Sequence, residues 1–168
     1  DLRSNELYLS DQYYRILGYE PGEITITNKV FEDSIHPKDK EQVLENIQKC
    51  IVGKTKEYSA EFRMKTKSGK WKWILGRGNV AYRDSDGKAL RFLGTHVDIS
   101  RRKQMEEALR ESEQKFYNIS SSANDAIFFI GNDGSISYCN KAAEKMFGYS
   151  KEEMHGRELH KLIVPAKY

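Results

Sequence analysis

Two histidines towards the end of the chain, His155 and His160, carry the side chain that most often binds zinc in proteins. A zinc-binding pair on a helix needs its histidines four residues apart, because that spacing places both rings on one face. A spacing of five rotates the second ring by about 140° from the first. We therefore expect no metal site at this pair and interpret both histidines as structural.

Three other segments match parts of catalytic or ligand-binding motifs without completing them. Ser112–Lys115 has the spacing of a serine nucleophile and a lysine base, but it lies in a charged segment with no companion motif. Gly76–Ala81 has the glycine spacing of a dinucleotide loop, yet the pattern there predicts a strand with no helix N-terminus for a phosphate. Asp84–Gly87 lacks the other ligands of a calcium loop and is interpreted as a turn. Since no nucleophile–base pair or convergent carboxylates emerge, the sequence predicts no enzyme activity within this chain.

The composition argues against several further classes. The chain has 168 residues, 38% hydrophobic and 32% charged, and its interleaved acids and bases leave a net charge of +3. No basic stripe marks a nucleic-acid surface, and no apolar run reaches the roughly 18 residues of a membrane span. Cys50 and Cys139 lie far apart in apolar surroundings, which suits free, reduced, buried thiols. We expect a cytoplasmic chain without direct nucleic-acid or membrane contact, although the parent protein could be anchored elsewhere.

The elements that position any site begin with a repeat. Residues 8–19 and 138–149 both open with tyrosine and close with Gly-Tyr. Each copy predicts a short strand leading into a short helix, and glycine ends that helix because it adopts the left-handed cap conformation most easily. After the second copy, Ser150–Glu153 fits a capping box that opens the next helix.

The segment between the two copies predicts a helix followed by an antiparallel meander. Proline opens the helix and glycine closes it over residues 37–53, with apolar residues at helical spacing. Hydrophobic and polar residues then alternate, which indicates strands at Tyr58–Lys65, Trp71–Tyr82 and Leu90–Val97. The glycines inside the second of these strands indicate a bulge or the close approach of another backbone.

Residues 101–118 predict a connecting helix, because oppositely charged residues recur four apart. Its less polar positions alternate four and three apart, as in a two-heptad seam: Met105, Leu109, Ser112, Phe116 and Ile119. Two such helices could associate through this seam; alternatively, the helix is a solvated connector lying on its own domain. Residues 119–168 then predict two further strands, Ala126–Ile130 and Ile136–Tyr138, and a second helical region.

These elements resemble the PAS family. The matching features are short motifs at corresponding places in the fold: Gly18–Tyr19, Ile35–Asp39 at the start of the longer helix, Glu61–Arg63, the hairpin from Gly69 to Ile74, and Gly94–Ser100. The last of these is the most specific, because it resembles the Asp-Ile-Thr/Ser motif that ends many PAS units and leads into a signalling helix. Residues 113–168 resemble the opening of a second unit. Three segments are therefore expected: a PAS unit at 1–100, a linker helix at 101–118 and a half-unit at 119–168.

The resemblance implies an α+β PAS fold, with a five-stranded antiparallel sheet, helices on one face and a cavity that holds a ligand in some members. In the family's strand order, 2-1-5-4-3, the first unit supplies strand two at Glu6–Leu9 and strands three to five. Strand one would be missing. Two interpretations stay open: a second copy supplies Ala126–Ile130 by strand exchange, or upstream residues of the parent protein supply the strand.

The resemblance also implies a function and two groups of site residues. It implies a sensory and relay module that regulates an output domain outside this chain, with the sensor histidine kinase of a two-component system favoured. A diguanylate cyclase or phosphodiesterase parent, or a purely structural dimerisation module, is the alternative. The expected pocket walls are Phe62, Ile74 and His96, and the expected relay motif is Asp98, Ile99 and Ser100, with Asp98 accepting hydrogen bonds from the helix start.

No cofactor is evident from the motifs. Flavin-binding members of the family carry a reactive cysteine after the short helices, whereas Thr25–Phe31 contains none. Haem-binding members use a histidine from the longer helix, but His36 lies at the start of that helix, where we interpret it as a cap. Flavin and haem are therefore not expected, and an unidentified small ligand remains open.

Overall fold

The computed structural model describes residues 1–163, which belong to two compact units, one of residues 1–105 and one from residue 106 onward. The helices are α1 (Asp11–Leu17), α2 (Asn28–Ser34), α3 (Pro37–Ile51), α4 (Ser100–Ser122), α5 (Lys141–Phe147), α6 (Lys151–Met154) and α7 (Leu159–Ile163). The strands are β1 (Tyr58–Lys65), β2 (Trp71–Arg83), β3 (Ala89–Asp98), β4 (Phe128–Ile130) and β5 (Ile136–Cys139). The helix α4 begins in the first unit and ends in the second.

In the first unit, β1, β2 and β3 form the predicted antiparallel meander in that order. Alternate residues of β1 face inward, so that Tyr58, Phe62 and Met64 are buried while their neighbours lie on the other face. The helices cover the inward face: Leu17 of α1 and Val43 of α3 pack into the same core. The unit is therefore a sheet with helices on one face.

The long helix α3 follows from its own sequence. Proline occupies its first turn, and Nδ1 of His36 accepts a hydrogen bond from the backbone N–H of Lys38 (3.2 Å), which confirms the capping interpretation of this histidine. Its apolar face buries Val43 and Cys50. Cys50 is a free thiol, as predicted, and so is Cys139 in the core of the second unit.

The helix of the predicted repeat is present in both copies, and the strand that precedes it is present in the second copy. The helices α1 and α5 occupy equivalent positions in the two copies, and each ends at a glycine in the left-handed conformation, Gly18 (φ 83°) and Gly148 (φ 75°). The capping box at Ser150 and Glu153 is also formed. In the second unit, Ile136 and Met154 are the largest buried side chains of a small core beside the two-stranded sheet of β4 and β5.

Two expectations about the sheet need correction. Residues 6–9 do not form a strand, because no neighbouring backbone within residues 1–163 pairs with them, and a strand exists only as part of a ladder. Consequently the described strands form one sheet of three and one of two rather than a single five-stranded sheet.

Two helix expectations also differ from the structure. The connecting helix was expected to end at residue 118, whereas α4 continues to Ser122 because Ser120 is buried and bonded to β5 through Tyr138 (Oγ to Oη, 2.7 Å). The helix α2 was not predicted: it is capped by Thr27, whose Oγ1 accepts from the backbone N–H of Val30 (3.3 Å), but it buries no residue completely. Tertiary packing therefore sets the end of α4, whereas the start of α2 is set by a local cap.

Candidate functional site

The three residues expected to line a pocket lie together on the inward face of the sheet. Phe62 pairs with Ile74 across β1 and β2, and both side chains are completely buried. His96 of β3 pairs with Gly76, which follows Ile74 on the same face of β2. The imidazole ring of His96 meets the ring of Phe62 edge-on, at 5.6 Å between centroids. The register between β2 and β3 holds until Val80, beyond all three. Whether these residues bind a ligand stays a prediction.

Two aromatic residues that the sequence did not reveal close this site from the helix side. Tyr13 of α1 stacks on His96 at 5.3 Å between ring centroids, and Phe31 of α2 lies 5.8 Å from the same ring. Their helices are only seven residues long, and the sequence alone gave no register to relate them to β3. The inward face is therefore an aromatic cluster around one imidazole.

The polar groups of this cluster are electrically neutral. Burial lowers the pKa of His96 to about 4 and raises the pKa of Tyr13 and of Tyr58 above the ordinary value for tyrosine. Nδ1 of His96 and the hydroxyl of Tyr58 are buried and have no hydrogen-bond partner among the described residues. A charged ligand would find no counter-charge on these groups, so the face suits apolar or neutral chemistry.

The buried imidazole predicts how the stability of the first unit depends on pH. Below pH 6.5 the unfolded chain protonates His96 while the folded chain does so only near pH 4, so the free energy of unfolding falls as the pH drops through this range. The slope is expected to be at most about 1.4 kcal/mol per pH unit. Urea unfolding followed by tryptophan fluorescence between pH 7 and 5 measures it.

The matched variants are His96→Phe and His36→Asn. The first should flatten the slope, because it removes the titrating group. Tyr13, which stacks on it, and Tyr58 of the same core do not titrate in this range. The second keeps a capping acceptor at α3, and the slope should persist because His96 is intact. Equal stability at pH 7 and pH 5 in the unmodified chain would contradict the prediction.

A second group of residues joins the end of β3 to the start of α4. The backbone N–H of Ser100 donates to Oδ1 of Asp98 (2.9 Å), which is the hydrogen bond expected from the sequence. Nζ of Lys72 lies 2.8 Å from Oδ2 of Asp98. Burial acts to raise the pKa of Asp98, but this ion pair and the bonds from Ser100 hold it below its ordinary value. Asp98 is therefore an ionised cap at the helix start.

The same junction is fixed to the central strand of the sheet. The backbone N–H of Trp73 donates to Oγ of Ser100 (3.0 Å), and the N–H of Ile99 donates to the carbonyl of Trp73 (2.9 Å). The side chain of Ile99 is buried. Asp98, Ile99 and Ser100 thus contact β2 and also form the start of α4; their role in relay stays a prediction.

Two further features were sought among the described residues: groups of metal-ligating side chains and membrane-spanning helices. Residues 1–163 hold no group of three or more potential metal ligands. His155 caps α6 while His160 lies in α7, so the two histidines do not share a helix. No helix within the described residues is long and apolar enough to span a bilayer.

The first unit is an antiparallel sheet covered by helices on one face, and its last strand leads through a capped junction into a long helix. This architecture belongs to the class of small α+β domains. Family models for the PAS fold match residues 6–96 and again residues 114–168. The chain belongs to the PAS family and carries segments of two PAS units.

Several relatives are signalling proteins. The sensor protein FixL of Bradyrhizobium diazoefficiens is 30% identical over 163 residues, which cover 97% of this chain but 32% of FixL. The structure of a sensory box histidine kinase/response regulator from Burkholderia thailandensis is 34% identical, with a TM-score of 0.56, and the match covers 66% of this chain and 81% of that one. The N-terminal domain of a diguanylate cyclase with a PAS/PAC sensor from Marinobacter aquaeolei is 25% identical, with a TM-score of 0.50, and covers 57% and 85%. The chain spans 32% of the length of FixL and is therefore similar to one part of a longer signalling protein.

Proposed function

We propose that this chain is a sensory and relay module that regulates an output domain outside residues 1–168, in the cytoplasm, and that this output is the kinase of a two-component system. The observation that carries the proposal is the junction of Asp98, Ile99 and Ser100, which binds β2 while it begins α4. The histidine kinase similarity supports the kinase output, and a diguanylate cyclase is the alternative that the second structure supports. The two free, buried thiols suit a reducing compartment.

The relay would act through the geometry of this junction. Rearrangement of the aromatic cluster around His96 moves β3 or β2, since His96 lies on β3 directly opposite Gly76 of β2. The hydrogen bond from Trp73 to Ser100 converts such a movement into a change in the position of the first turn of α4. The module needs no catalytic group of its own for this task.

The variant Asp98→Ala tests the relay. It removes the bond to the N–H of Ser100 and the ion pair with Lys72, so the first turn of α4 loses its cap at a cost of about 1 kcal/mol in stability. In the parent protein the basal output activity is expected to change about fivefold, as this free energy implies for a two-state switch. Autophosphorylation, or cyclase activity if the parent is a cyclase, measures it.

The control for this variant is Asp84→Ala. Asp84 also accepts backbone hydrogen bonds, from Asp86 (3.1 Å) and Lys88 (2.8 Å), but it lies in the turn between β2 and β3. Its replacement should cost similar stability and leave the output unchanged. If both variants change the output equally, or neither does, Asp98 is only a helix cap.

A structural dimerisation module is the second candidate, and the surface of α4 favours it. Met105, Leu109 and Ile119 of the predicted seam are all more than 60% exposed. Phe116, however, is already used within the second unit, where it stacks on Phe129 at 5.1 Å between ring centroids. Sedimentation of the chain beside its Leu109→Glu variant distinguishes association through this helix from a monomeric relay.

We further propose that the complete first unit has the five-stranded sheet of its family, with additional backbone along the free edge of β3. The N–H of Leu2 already donates to the carbonyl of Leu90 near the start of this strand (2.9 Å), which supports a neighbouring segment there. The additional strand would come from upstream residues of the parent protein or, by exchange, from β4 of a second copy.

A further inference from the structure

The first turn of α4 has a second set of contacts on the outward face of the sheet. The carboxylate of Glu61 lies 2.6 Å from Nη2 of Arg102 and 2.7 Å from Nζ of Lys103. The hydrogen bonds from Lys103 and, to a smaller extent, from Arg102 hold the pKa of Glu61 below its ordinary value. Nζ of Lys103 also lies 5.2 Å from the centre of the Trp73 ring, within range of a cation–π attraction.

The same indole ring is shared with a second cation. The guanidinium carbon of Arg63 lies 5.2 Å from the centre of the Trp73 ring. Arg63 is in turn held by both carboxylate oxygens of Asp39, with Nε 2.9 Å from Oδ2 and Nη2 2.7 Å from Oδ1. The backbone N–H of Arg63 also donates to Oδ2 (3.0 Å). Asp39 lies in the first turn of α3. A continuous series of contacts therefore runs from α3 across the sheet to α4.

The charges in this series make its two ends interdependent. Arg63 and Lys103 attract the same ring and repel each other, and the carboxylate of Asp39 offsets part of the repulsion. Neutralising Asp39 leaves Arg63 free to move over Trp73 and to compete for Glu61. Lys103 is then held less firmly, although Asp39 itself contacts no residue of α4 within the described chain.

We propose that Asp39, Arg63 and Trp73 are positioning residues that couple the start of α3 to the first turn of α4. This path uses the indole ring of Trp73, whereas the junction at Asp98 uses the backbone of Trp73 and the hydrogen bond between Asp98 and Ser100. The proposed coupling of α3 and α4 rests on the proposed function in one respect, namely that α4 is the element that carries the signal. A displacement of α3 would reach α4 along the outward face even if the aromatic cluster did not move.

Amide hydrogen exchange tests this coupling in the intact chain. The N–H of Lys103 donates to the carbonyl of Ile99 (3.0 Å), so its exchange reports opening of the first turn of α4. In Asp39→Asn we expect this exchange to accelerate about threefold relative to the N–H of Phe62 in the core strand β1. A general loss of stability, which a merely structural role for Asp39 would produce, accelerates the exchange of both N–H groups. It therefore cancels in the ratio of the two exchange rates.

The matched control is Asp33→Asn, which makes the same charge change at an ion pair with Lys40 of α3 and Lys29 of α2. It should leave the exchange ratio unchanged, because neither of these partners touches Arg63 or Trp73. An equal acceleration in both variants, or none in Asp39→Asn, would overturn the proposal.

A second comparison assigns the effect to the indole ring. Asp39→Asn should have no effect on the ratio when combined with Trp73→Leu, and its effect should return with Trp73→Tyr, which restores an aromatic face. An undiminished effect in the leucine background would mean that the coupling does not pass through Trp73. Because this measurement follows α4 and not the output domain, it can fail while the Asp98 test succeeds, and the reverse is equally possible.

Discussion

Replacing Asn140 with alanine is expected to destabilise the second unit by about 3–5 kcal/mol, the largest effect of any substitution considered for this chain. The side chain is 2% exposed and makes four hydrogen bonds. Its Oδ1 accepts from the backbone N–H groups of Ile127 and Ala143, both at 3.0 Å. Its Nδ2 donates to the carbonyls of Ser120 and Asp125, both at 2.9 Å. Alanine would leave these backbone groups without their partner, and each buried group so stranded costs about 1–3 kcal/mol.

Two further variants separate the contributions of this side chain. Asn140→Asp keeps the acceptor for both N–H groups but cannot donate, so about half of the loss is expected. Asn118→Ala, on the exposed surface of α4, should change stability by less than about 0.5 kcal/mol. Exchange of the buried N–H of Ile136 in urea measures the stability of this unit. If the second unit is as stable in Asn140→Ala as in Asn118→Ala, the hydrogen bonds of Asn140 make no net contribution to its free energy of unfolding.

Replacing Gly78 with alanine is expected to destabilise the first unit by about 2–3 kcal/mol. A Cβ at this position would lie 2.6 Å from Cε1 of Phe92 and 2.7 Å from the carbonyl oxygen of Leu93. The oxygen belongs to the backbone of β3 and cannot move away without disturbing the pairing of β2 and β3. At Gly78 this confirms the predicted close approach of another backbone, whereas at Gly76 a Cβ would meet the side chains of Phe62 and Tyr58 instead.

Tryptophan fluorescence in urea measures this second effect, since Trp71 and Trp73 both lie on β2. Thr95→Ala is the matched control, because Thr95 is exposed on β3 next to the same contact and its truncation should cost less than about 0.5 kcal/mol. If Gly78→Ala is no less stable than this control, the strands can separate locally without loss, contrary to the expectation.

The sheet was predictable from the sequence because its signal is local. Alternation from Tyr58 to Lys65 identifies the strand and also its inward face, so the sequence alone predicts Phe62 and Ile74 on one wall, and the two residues pair in the structure. The unpredicted helix α2 lacks such a signal: none of its residues is completely buried, and only the cap at Thr27 marks its start. Likewise, the final turn of α4 depends on Ser120 being buried against β5, which no window of sequence contains.

The candidate sites divide in the same way. The hydrogen bond between Asp98 and Ser100 spans two residues, and the sequence predicted it. The contacts of Trp73 with Arg63 and Lys103 join residues on β1, β2 and α4, and they depend on the register of a sheet whose strands are separated by turns. Contacts between long side chains on different strands can be predicted only when that register is known.

The burial of both thiols has a practical consequence for spectroscopy. Cys50 is 1% exposed and Cys139 is 4% exposed, and burial raises the pKa of the Cys139 thiol, which disfavours the thiolate that maleimide reagents attack. A cysteine introduced at exposed Leu109 on α4 would therefore react first, so a fluorophore or spin label can be attached there without removing either native cysteine. The wild-type cores then stay intact while the signalling helix is followed directly.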